Sequence, residues 1–566
     1  MKLLRLKLLS QFRGLQKDFE IEFDKNINTK CLEPICFVGQ NGCGKSNVME
    51  ALSEIFYELE LMHLNYSDDD NDEDTSKSKQ EAYGYEIEYL LPATEINESN
   101  NVVFIDDENS LVYERFIRVL IEKKNGESPT FFVYGESRNL LPVKDRIERK
   151  KLLPTKIIGY SSGMNELISS PFIKMRLHYF NEYIRNIQNE YKTDIEGSRM
   201  FYMDYETNAL ILISNYLIHN SNKIKVINEI LNVNRLHSFR IVINLEGTDI
   251  DKSYKINDKD TVGSIIDKLK KCTTCYDDSI NVDESKLNAN LDNATRVGCI
   301  TFDFWVNEAT NQAFKQHFNS ASELYSDFYT LNSLNLEKIP SYQRKKILNH
   351  RSASTLTGLI PKTTDDNLIF RIEDILLCKN GVNDPIHYKK FSDGEHQLMQ
   401  TIGAVLLMDE PGTLFLMDEP ETHFNPQWRS KFVSTLNKIT ENEAEGRQQE
   451  LILTTHSPFI LSDCQTQNVY KFVRSNGIVK SENPSIQTYG TSFSILYKEI
   501  FDKENTVSDL VADSIERLKN ESIETNEDIE RIKDEVLEFG ESAEKFFLLS
   551  YLNRRKKQID SKDDGK

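Results

Sequence analysis

Basic and apolar side chains alternate over the first nine residues, and two further strand-like segments follow at 18–23 and 34–38, of which the second is an apolar run. A period of two is typical of a half-buried strand, whereas an unbroken apolar run suits a strand buried on both faces. The pattern therefore predicts strands at 2–9, 18–23 and 34–38. After the third run the apolar period lengthens, from Val48 to Phe56, and predicts a helix.

Later segments repeat these two patterns. Strands are predicted at 85–91, 111–122, 130–134 and 155–160, and helices at roughly 172–191 and 204–233. A middle region to about 380 mixes both patterns, strands and helices alternate again from 366 to 470, and a charged, Glu-rich helical segment begins near 505. Strands that alternate with helices favour an α/β fold.

The segment from 67 to 80 interrupts this order. Six of the seven residues from Asp68 to Asp74 are acidic, and the segment has no apolar side chain with which to offset its ordering entropy. We expect a mobile loop there. The whole chain is also acidic, with 69 basic against 90 acidic residues and a formal charge of −21. Such a field disfavours nucleic-acid binding except through a local basic patch.

At 566 residues the chain is long enough for roughly three to five domains. Its longest apolar stretch, Ala209 to Ile218, is far shorter than the roughly 20 residues that a membrane helix needs, so we expect no membrane span. The period-two N-terminus predicts a strand and not a signal peptide. The cysteines are scattered, and Cys272 and Cys275 have no second pair at zinc spacing, which favours a reducing cytoplasm.

The third predicted strand ends in a glycine-rich run. This run has the spacing of a Walker A loop and consists of Gly39, Gln40, Asn41, Gly42, Cys43, Gly44, Lys45 and Ser46. In such a loop the backbone N–H groups close around phosphate, Lys45 reaches the β and γ oxygens, and Ser46 binds Mg²⁺. A glycine turn that binds nothing is the structural alternative. The strand before the run and the helix after it favour an ATP site.

A second motif, Phe391 to Gln397, opens a helical pattern far downstream. It resembles the signature motif of ABC-type ATPases, in which serine and glycine at a helix N-terminus offer a hydroxyl, N–H groups and a positive dipole end to an anion. The matching residues are Ser392 and Gly394. Taken alone, the same residues fit an ordinary serine cap with Glu395 at the third helical position.

Two Met-Asp-Glu-Pro tetrads follow, and only one can end the strand of a Walker B motif. The first, Met408 to Pro411, falls inside the helix that the signature-like motif opens, and its proline stops that helix. The second, Met417 to Pro420, ends an apolar strand. We therefore assign Asp418 to Mg²⁺ through water and Glu419 to the general base. The acidic pair of the first tetrad, Asp409-Glu410, is expected to be a solvated helix end.

Two further segments complete the order of motifs in ABC-type ATPases. Pro420 to Pro426 resembles the D-loop, with Asn425 where the family usually has aspartate. Leu451 to Thr455 is an apolar strand that leads to His456, the position of the switch histidine that senses the γ-phosphate. A lone histidine after a strand is usually structural. Its place, fourth in this order, favours a functional residue.

Two shorter matches are less specific. Gln11 to Leu15 resembles the Phe-Arg element between the first strands of RecF and SMC heads, which points a cation at the nucleotide. The sequence does not decide whether Arg13 points at the nucleotide or is an ordinary surface arginine. Glu246 to Asp251 looks like a fragment of a Toprim nuclease site. In the overcoming-lysogeny family Toprim follows the switch histidine, whereas this segment precedes the signature, so we expect a strand-end turn.

Together these motifs, spread from residue 12 to 458, resemble the ABC-type ATPase heads of the overcoming-lysogeny, RecF and SMC branch. The length, the lack of a heptad arm and the segments 159–166, 390–395 and 493–501 are similar to the PtuA ATPases of Septu anti-phage systems. The resemblance implies an α/β P-loop head with a mixed sheet and an N-terminal antiparallel subdomain, a large α+β insertion and a helical C-terminal region. Asp393 and the D-loop asparagine depart from the wider ABC pattern and put the strength of ATP-driven dimer closure in doubt.

We divide the chain accordingly into six parts. These are 1–65, the start of the head with Walker A; 66–84, the acidic loop; 85–165, the β-rich continuation of the head; 166–365, the insertion; 366–500, the second part of the head; and 501–566, a charged helical tail. Apolar positions of the tail predict a partner-binding face, with packing on the head as the alternative, and a basic end follows at Arg554 to Lys557. The apolar positions are Ile515, Leu518, Ile529, Ile532, Leu537 and Phe546.

The resemblance implies ATP and Mg²⁺ as ligands, and a homodimer in which Ser392 and Gly394 of one chain complete the ATP site of the other. PtuA proteins pair with a small HNH nuclease, PtuB, and some are retron effectors held by a reverse transcriptase and its multicopy single-stranded DNA. The first hypothesis is therefore a defence ATPase whose nucleotide state controls that nuclease, with no nuclease site of its own. The alternative is a RecF- or SMC-like repair ATPase that clamps DNA directly. The acidic charge favours the first.

Overall fold

The computed structural model describes most of the chain. The described residues are 1–23, 32–64, 83–92, 116–135, 139–162, 166–188, 197–245, 248, 261–278, 299–350, 356–361, 367–440, 448–503 and 507–563. The predicted loop at 67–80 lies outside them, and so does the Toprim-like segment apart from Thr248.

The strands are β1 (Lys2–Leu8), β2 (Glu20–Glu22), β3 (Ile35–Val38), β4 (Tyr85–Pro92), β5 (Phe116–Lys123), β6 (Thr130–Tyr134), β7 (Leu140–Val143), β8 (Ile157–Ser161), β9 (Met200–Tyr202), β10 (Val233–Asn244), β11 (Cys275–Asp278), β12 (Cys299–Trp305), β13 (Phe370–Lys379), β14 (Ile386–His387), β15 (Leu414–Asp418), β16 (Glu450–Thr454), β17 (Val469–Ser475) and β18 (Ile478–Glu482). In the described part of the chain they form three sheets. Two are antiparallel, with the orders β2-β1-β4-β5-β6-β7 and β11-β12-β10-β13-β14. The third is a seven-stranded sheet, β18-β17-β3-β16-β15-β8-β9, in which only β17 and β18 pair antiparallel.

The helices are α1 (Lys45–Leu61), α2 (Arg146–Lys151), α3 (Glu166–Gln188), α4 (Tyr205–Ile218), α5 (Ser221–Leu231), α6 (Thr261–Cys272), α7 (Glu308–His317), α8 (Ala321–Ser333), α9 (Ser341–Leu348), α10 (Asp393–Leu398), α11 (Ala404–Leu407), α12 (Pro426–Arg429), α13 (Phe432–Thr440), α14 (Pro458–Ser462), α15 (Phe493–Phe501), α16 (Asp509–Asn520), α17 (Asn526–Leu537) and α18 (Ala543–Asp563). A π-helical turn, Met399–Gly403, joins α10 to α11. The fold is therefore α/β with a mixed central sheet and a helical C-terminal region, as predicted. No helix within the described ranges is long and apolar enough to cross a membrane.

The seven-stranded sheet is buried on both faces. Along β15, Phe415 and Met417 point into a core shared with α4 and α8, whereas Leu414 and Leu416 point into a core shared with α1 and the N-terminal sheet. This explains why the strand is an unbroken apolar run in the sequence.

The register of this sheet decides where the motifs meet. Asp418 at the end of β15 lies opposite Thr454 at the end of β16, and Thr454 lies opposite Phe37 of β3. These strands are parallel, so their carboxyl ends share one edge of the sheet, where ligands bind in open α/β folds. The segments that follow the three strands, with Gly39, Glu419 and His456, therefore begin at the same edge.

Most strand predictions are confirmed within two residues, and the helical patterns at 204–233 and from about 505 are confirmed, each as more than one helix. The pattern at 204–233 is two helices and the start of β10, because the Asn220 side chain accepts a hydrogen bond from the Lys223 N–H (3.0 Å) and caps a new helix. The C-terminal segment is three helices with a core of their own. Four of the six apolar positions predicted for a partner-binding face are buried in this core, namely Ile515, Leu518, Ile529 and Ile532. The other two, Leu537 and Phe546, are 56% and 66% exposed.

Candidate nucleotide site

The glycine-rich loop joins β3 to α1, and two of its positions require glycine. Gly39 has φ +135°, and a Cβ there would lie 2.4 Å from the Phe472 carbonyl oxygen. Gly44 has φ +110° and caps α1, with Val479 3.2 Å from where its Cβ would be. Other residues rarely adopt such a positive φ. The glycines therefore allow both the turn and its close packing against β17 and β18.

Lys45 is only 6% exposed, and its ammonium group lies against its own loop. The Nζ donates hydrogen bonds to the carbonyls of Gly39 (2.9 Å) and Gln40 (3.1 Å). Burial lowers the pKa of Lys45, and the nearby Cys43 thiol and the carboxylates of Glu419 and Asp418 oppose that shift. The loop, Walker B residues and cation are therefore electrostatically coupled.

Ser46 and Asp418 join the loop helix to the strand ends. The Ser46 Oγ lies 3.3 Å from Asp418 Oδ1, and Thr454 Oγ1 donates to the same carboxylate oxygen over 2.5 Å. Hydroxyl and carboxylate oxygens are the ligands that Mg²⁺ prefers. The donor set formed by Ser46 and Asp418 thus fits the predicted metal role, which stays a prediction.

Glu419 has a left-handed backbone, with φ +49°. That conformation costs about 1–3 kcal/mol for a non-glycine residue and is found most often at functional sites. The Glu419 N–H donates to the carbonyl (3.2 Å) and hydroxyl (3.0 Å) oxygens of Thr454, which hold it there. Thr422 Oγ1 donates to the Glu419 carbonyl over 3.0 Å. The backbone is fixed, while 41% of the side chain stays exposed.

His456 lies beside this carboxylate. Its Nε2 is 3.7 Å from Glu419 Oε1 and has no hydrogen-bond partner among the described residues. Burial lowers the pKa of His456, the Lys45 charge lowers it further, and Asp418 raises it. The imidazole is therefore mainly neutral near pH 7, and it has a nitrogen available to a ligand.

We call Lys45, Ser46, Asp418, Glu419 and His456 the strand-end cluster. They come from the loop after β3, from the end of β15 and from the segment after β16. The structure thus brings together the residues predicted for Walker A, Walker B and the switch histidine, whose individual roles stay predictions. The chain has a P-loop ATPase fold.

The acidic pair of the first tetrad has a different environment. The helix ends at Leu407, and Asp409 and Glu410 lie beyond it, each partly buried. Glu410 accepts a hydrogen bond from Ser322 Oγ (2.6 Å), and Asp409 Oδ2 is 3.5 Å from Lys223 Nζ. The expectation of a solvated helix end was therefore wrong, because both carboxylates contact neighbouring helices.

Ser392 to Glu395 form a closed cap, which we call the signature turn. Glu395 Oε2 accepts hydrogen bonds from the Ser392 N–H (2.8 Å) and Oγ (2.9 Å), and Lys379 Nζ donates to Glu395 Oε1 (2.5 Å). The ordinary capping alternative is thus present. No hydrogen bond in the described part of the chain joins Ser392 to Lys45, so one chain does not bring them together through such a contact.

The signature turn packs on the D-loop-like segment. A Cβ on Gly394 would lie 2.9 Å from the His423 carbonyl oxygen, so the approach requires glycine. Gln397, one turn later, accepts from the His423 N–H (2.7 Å) and donates to Tyr160 Oη (2.9 Å). This buried glutamine, which the sequence pattern did not single out, connects α10 to the D-loop-like segment and to β8.

Two other predicted residues have well-defined contacts. Arg13 has φ +50°, and its Nε donates to Oε1 of Glu50, a buried residue of α1, over 3.0 Å. The contact places Arg13 beside the loop helix, and its nucleotide role stays a prediction. Asn425 caps α12 by accepting from the Trp428 N–H (2.8 Å). Aspartate and asparagine cap helices about equally well, so the departure from the family pattern is locally tolerated.

Glu421 was missed by the sequence reasoning. It is 4% exposed, accepts a hydrogen bond from Thr455 Oγ1 and leaves Oε2 without a partner among the described residues. Burial raises the pKa of Glu421 to about 7, and the Glu419 charge adds to the rise. The hydrophobic pattern could not predict the burial of Glu421, because that burial results from the fold of the turn after β15.

Comparisons with known proteins agree with this fold. Residues 267–462 match the family model described as AAA domain, putative AbiEii toxin, type IV TA system. The matched region contains the signature turn, Walker B and the switch histidine but not the glycine loop. It covers less than half of the chain. The match supports an ATPase in general.

Individual proteins show weaker likenesses. Protein ea59 of Escherichia phage lambda is 30% identical over 86 residues, which are 15% of this chain and 16% of ea59. The chain thus matches only about a sixth of that relative's length. An SMC head bound to the C-winged helix domain of ScpA aligns with 85% of this chain and 98% of its own, with a TM-score of 0.32 and 14% identity. The recombination mediator protein RecF, in a structure with ATPrS, aligns with 85% of this chain and 97% of its own, with a TM-score of 0.29 and 14% identity.

Proposed function

We propose that this protein binds ATP with Mg²⁺ and hydrolyses it at the strand-end cluster. One observation carries the proposal: the Walker A lysine, a Ser–Asp pair, a strained glutamate and a neutral histidine meet at one sheet edge. A glycine turn without a ligand would not need this set of residues. The chemistry of Glu419 suits a general base, and that of His456 suits a sensor of the γ-phosphate.

In the proposed reaction, Lys45 leaves its loop carbonyls and balances the charge of the β and γ oxygens. Bound Mg²⁺, held by Ser46 and through water by Asp418, would neutralise further charge on those oxygens. Glu419 orients the attacking water and takes its proton as the bond from the water oxygen to the γ-phosphorus forms. The bond from the γ-phosphorus to the β–γ bridging oxygen breaks at the same time, so ADP leaves with that oxygen. His456, being neutral, donates an N–H to a γ-phosphate oxygen and so registers whether that phosphate is present.

We further propose a homodimer with two composite ATP sites. Among the described residues no hydrogen bond joins the signature turn to its own glycine loop, yet Ser392 is exposed at a helix N-terminus, where an anion is favoured. A second copy that supplies Ser392 and Gly394 would complete each site. Closure of the dimer would then depend on ATP, since the γ-phosphate lies between the two chains.

The finer proposal is a defence role. The motifs resemble PtuA ATPases, and the matching family model is named for a putative toxin. The output would be an associated PtuB-like HNH nuclease, in some systems together with a retron reverse transcriptase and its single-stranded DNA. Nucleotide state would then hold or release the nuclease. Direct DNA clamping by a RecF- or SMC-like ATPase is the competing outcome of the test.

The purified chain should hydrolyse ATP and cleave neither DNA nor RNA. Phosphate release and nuclease assays with Mg²⁺ measure these two activities. A co-expressed HNH nuclease should be captured by the full chain, and truncation after Lys503 should weaken capture more than ATP binding. ATP-dependent retention of DNA by the chain alone would support the clamp instead. Metal-dependent cleavage that is lost on substituting Glu246 and Asp249 would revive the Toprim interpretation.

A further inference from the structure

A ligand-sized cavity lies between α4, β13 and the start of α10. Its volume is about 600 Å³, within the usual range of about 300–1,000 Å³ for small-molecule sites. No residue of the strand-end cluster lines it in the described part of the chain. A smaller space of about 280 Å³ shares Tyr205 and His396 with it and extends to Asp393 of the signature turn.

The wall next to α10 is a fixed hydrogen-bond network. Tyr388 Oη donates to Asn208 Oδ1 (2.9 Å), so the Asn208 amide nitrogen is the group that meets His396 Nδ1 at 3.0 Å. Burial lowers the pKa of His396, so its ring is mainly neutral. Nδ1 therefore accepts and Nε2 carries the proton. The wall presents polar groups in defined orientations before any ligand binds.

The other walls offer features suited to a flat, uncharged, hydroxyl-rich molecule. Tyr205 is 66% exposed, and its ring centre is 5.9 Å from that of His396. Asp374 lies on a bulge of β13 with φ +50°, and bulges commonly redirect a side chain beside a binding site.

The charges of the lining exclude one class of ligand. Three carboxylates, Glu206, Glu373 and Asp374, face two cations, Arg371 and Lys389. Arg371 Nε donates to Glu373, so that cation is already engaged. A phosphate would therefore meet a lining in which carboxylates outnumber the Arg and Lys cations by three to two. Hydroxyl groups, in contrast, donate readily to carboxylates, as ribose does in dinucleotide sites.

We propose that this cavity binds a ribonucleoside, with the base against Tyr205 and the ribose hydroxyls donating to Asp374. Aromatic stacking accepts any base. Because His396 of α10 lines the cavity, a bound nucleoside would also contact the helix that begins with the signature turn. Binding itself does not depend on ATP hydrolysis, and a nucleoside has no phosphate with which to occupy the glycine loop.

The test is calorimetric titration of the full chain with adenosine, guanosine, cytidine and uridine, each beside its 5′-monophosphate. At least one nucleoside should bind, and its monophosphate should bind at least tenfold more weakly. Tyr205→Ala and Asp374→Asn should each weaken nucleoside binding at least fivefold. The matched controls Tyr342→Ala and Asp384→Asn, which change exposed residues outside the lining, should stay within twofold.

Three outcomes would overturn the proposal. One is the absence of binding by all four nucleosides at millimolar concentration. Another is binding that Tyr205→Ala and Asp374→Asn leave unchanged. The third is binding that Lys45→Ala abolishes, which would place the nucleoside at the glycine loop. A chain that fails to hydrolyse ATP but still binds a nucleoside would contradict only the proposed ATPase function.

Discussion

The strand-end cluster and the signature turn use their polar atoms in opposite ways. In the cluster, His456 has an unused Nε2, and the Glu419 side chain is 41% exposed although its backbone is tied down. In the signature turn, the Ser392 hydroxyl and both Glu395 oxygens are already hydrogen-bonded within the chain. The cluster is arranged for a ligand, whereas the turn is first of all a stable helix cap.

This difference indicates that the proposed chemistry belongs to the strand-end cluster and its proposed control to the signature turn. The groups proposed to bind phosphate, metal and the attacking water come from one chain, because parallel strand ends meet at one edge. The signature turn is rigid and lies on a separate helix, connected through Gln397 to the D-loop-like segment. Such a rigid turn suits presentation to a second chain. Four substitutions test the comparison.

The largest effect is expected from Lys45→Ala. This change removes the buried cation of the loop, and we expect ATP affinity to fall at least about a hundredfold, since charge-assisted contacts to phosphate are strong. Titration with ATP measures it. Lys471→Ala is the matched control, because Lys471 also donates to a carbonyl, that of Glu499, but lies on β17. Equal affinity in both variants would contradict the role of the cluster.

Glu419→Gln should separate binding from hydrolysis. Glutamine keeps the size of the side chain but cannot accept the proton of water, so phosphate release should fall about 10²–10⁴-fold. ATP affinity should stay within about threefold, since Lys45 and Ser46 are unchanged. Glu410→Gln is the control from the other tetrad. Normal turnover in Glu419→Gln with loss in Glu410→Gln would reverse the Walker B assignment.

The cluster was largely predictable from the sequence, and its surroundings were not. Lys45 and Asp418 follow short apolar strands whose ends must align in a parallel sheet, so spacing and pattern suffice to place them. The environments of Gln397 and Glu421 depend on side-chain contacts between segments distant in the chain. Such contacts leave no period in the sequence. The C-terminal helices show the same limit, because the pattern predicted apolar faces but not that they pack on one another.

A smaller effect is expected from the signature turn. Ser392→Arg should reduce phosphate release at least tenfold in a homodimer, because it blocks the anion-binding helix end. Mixing it with Lys45→Ala should restore about a quarter of wild-type activity, since about half the dimers are mixed and each has one intact site. Full activity of Ser392→Arg alone would rule out composite sites and leave the turn a structural cap.

The smallest and most specific effect concerns Glu421, beneath the cluster. Its pKa is raised by burial from 4.5 to about 7, so between these values the folded chain keeps a proton that the unfolded chain has lost. The free energy of unfolding should therefore fall as pH rises through this window, by at most about 3 kcal/mol for this group. Glu421→Gln should flatten that fall, because glutamine can still accept from Thr455 but does not titrate.

Urea titrations of both proteins at pH 5.0 and 7.5 give the comparison, with exposed Glu482→Gln as control. An equal fall in all three proteins would mean that Glu421 is ionised in the folded chain, and that its charge acts directly on Glu419.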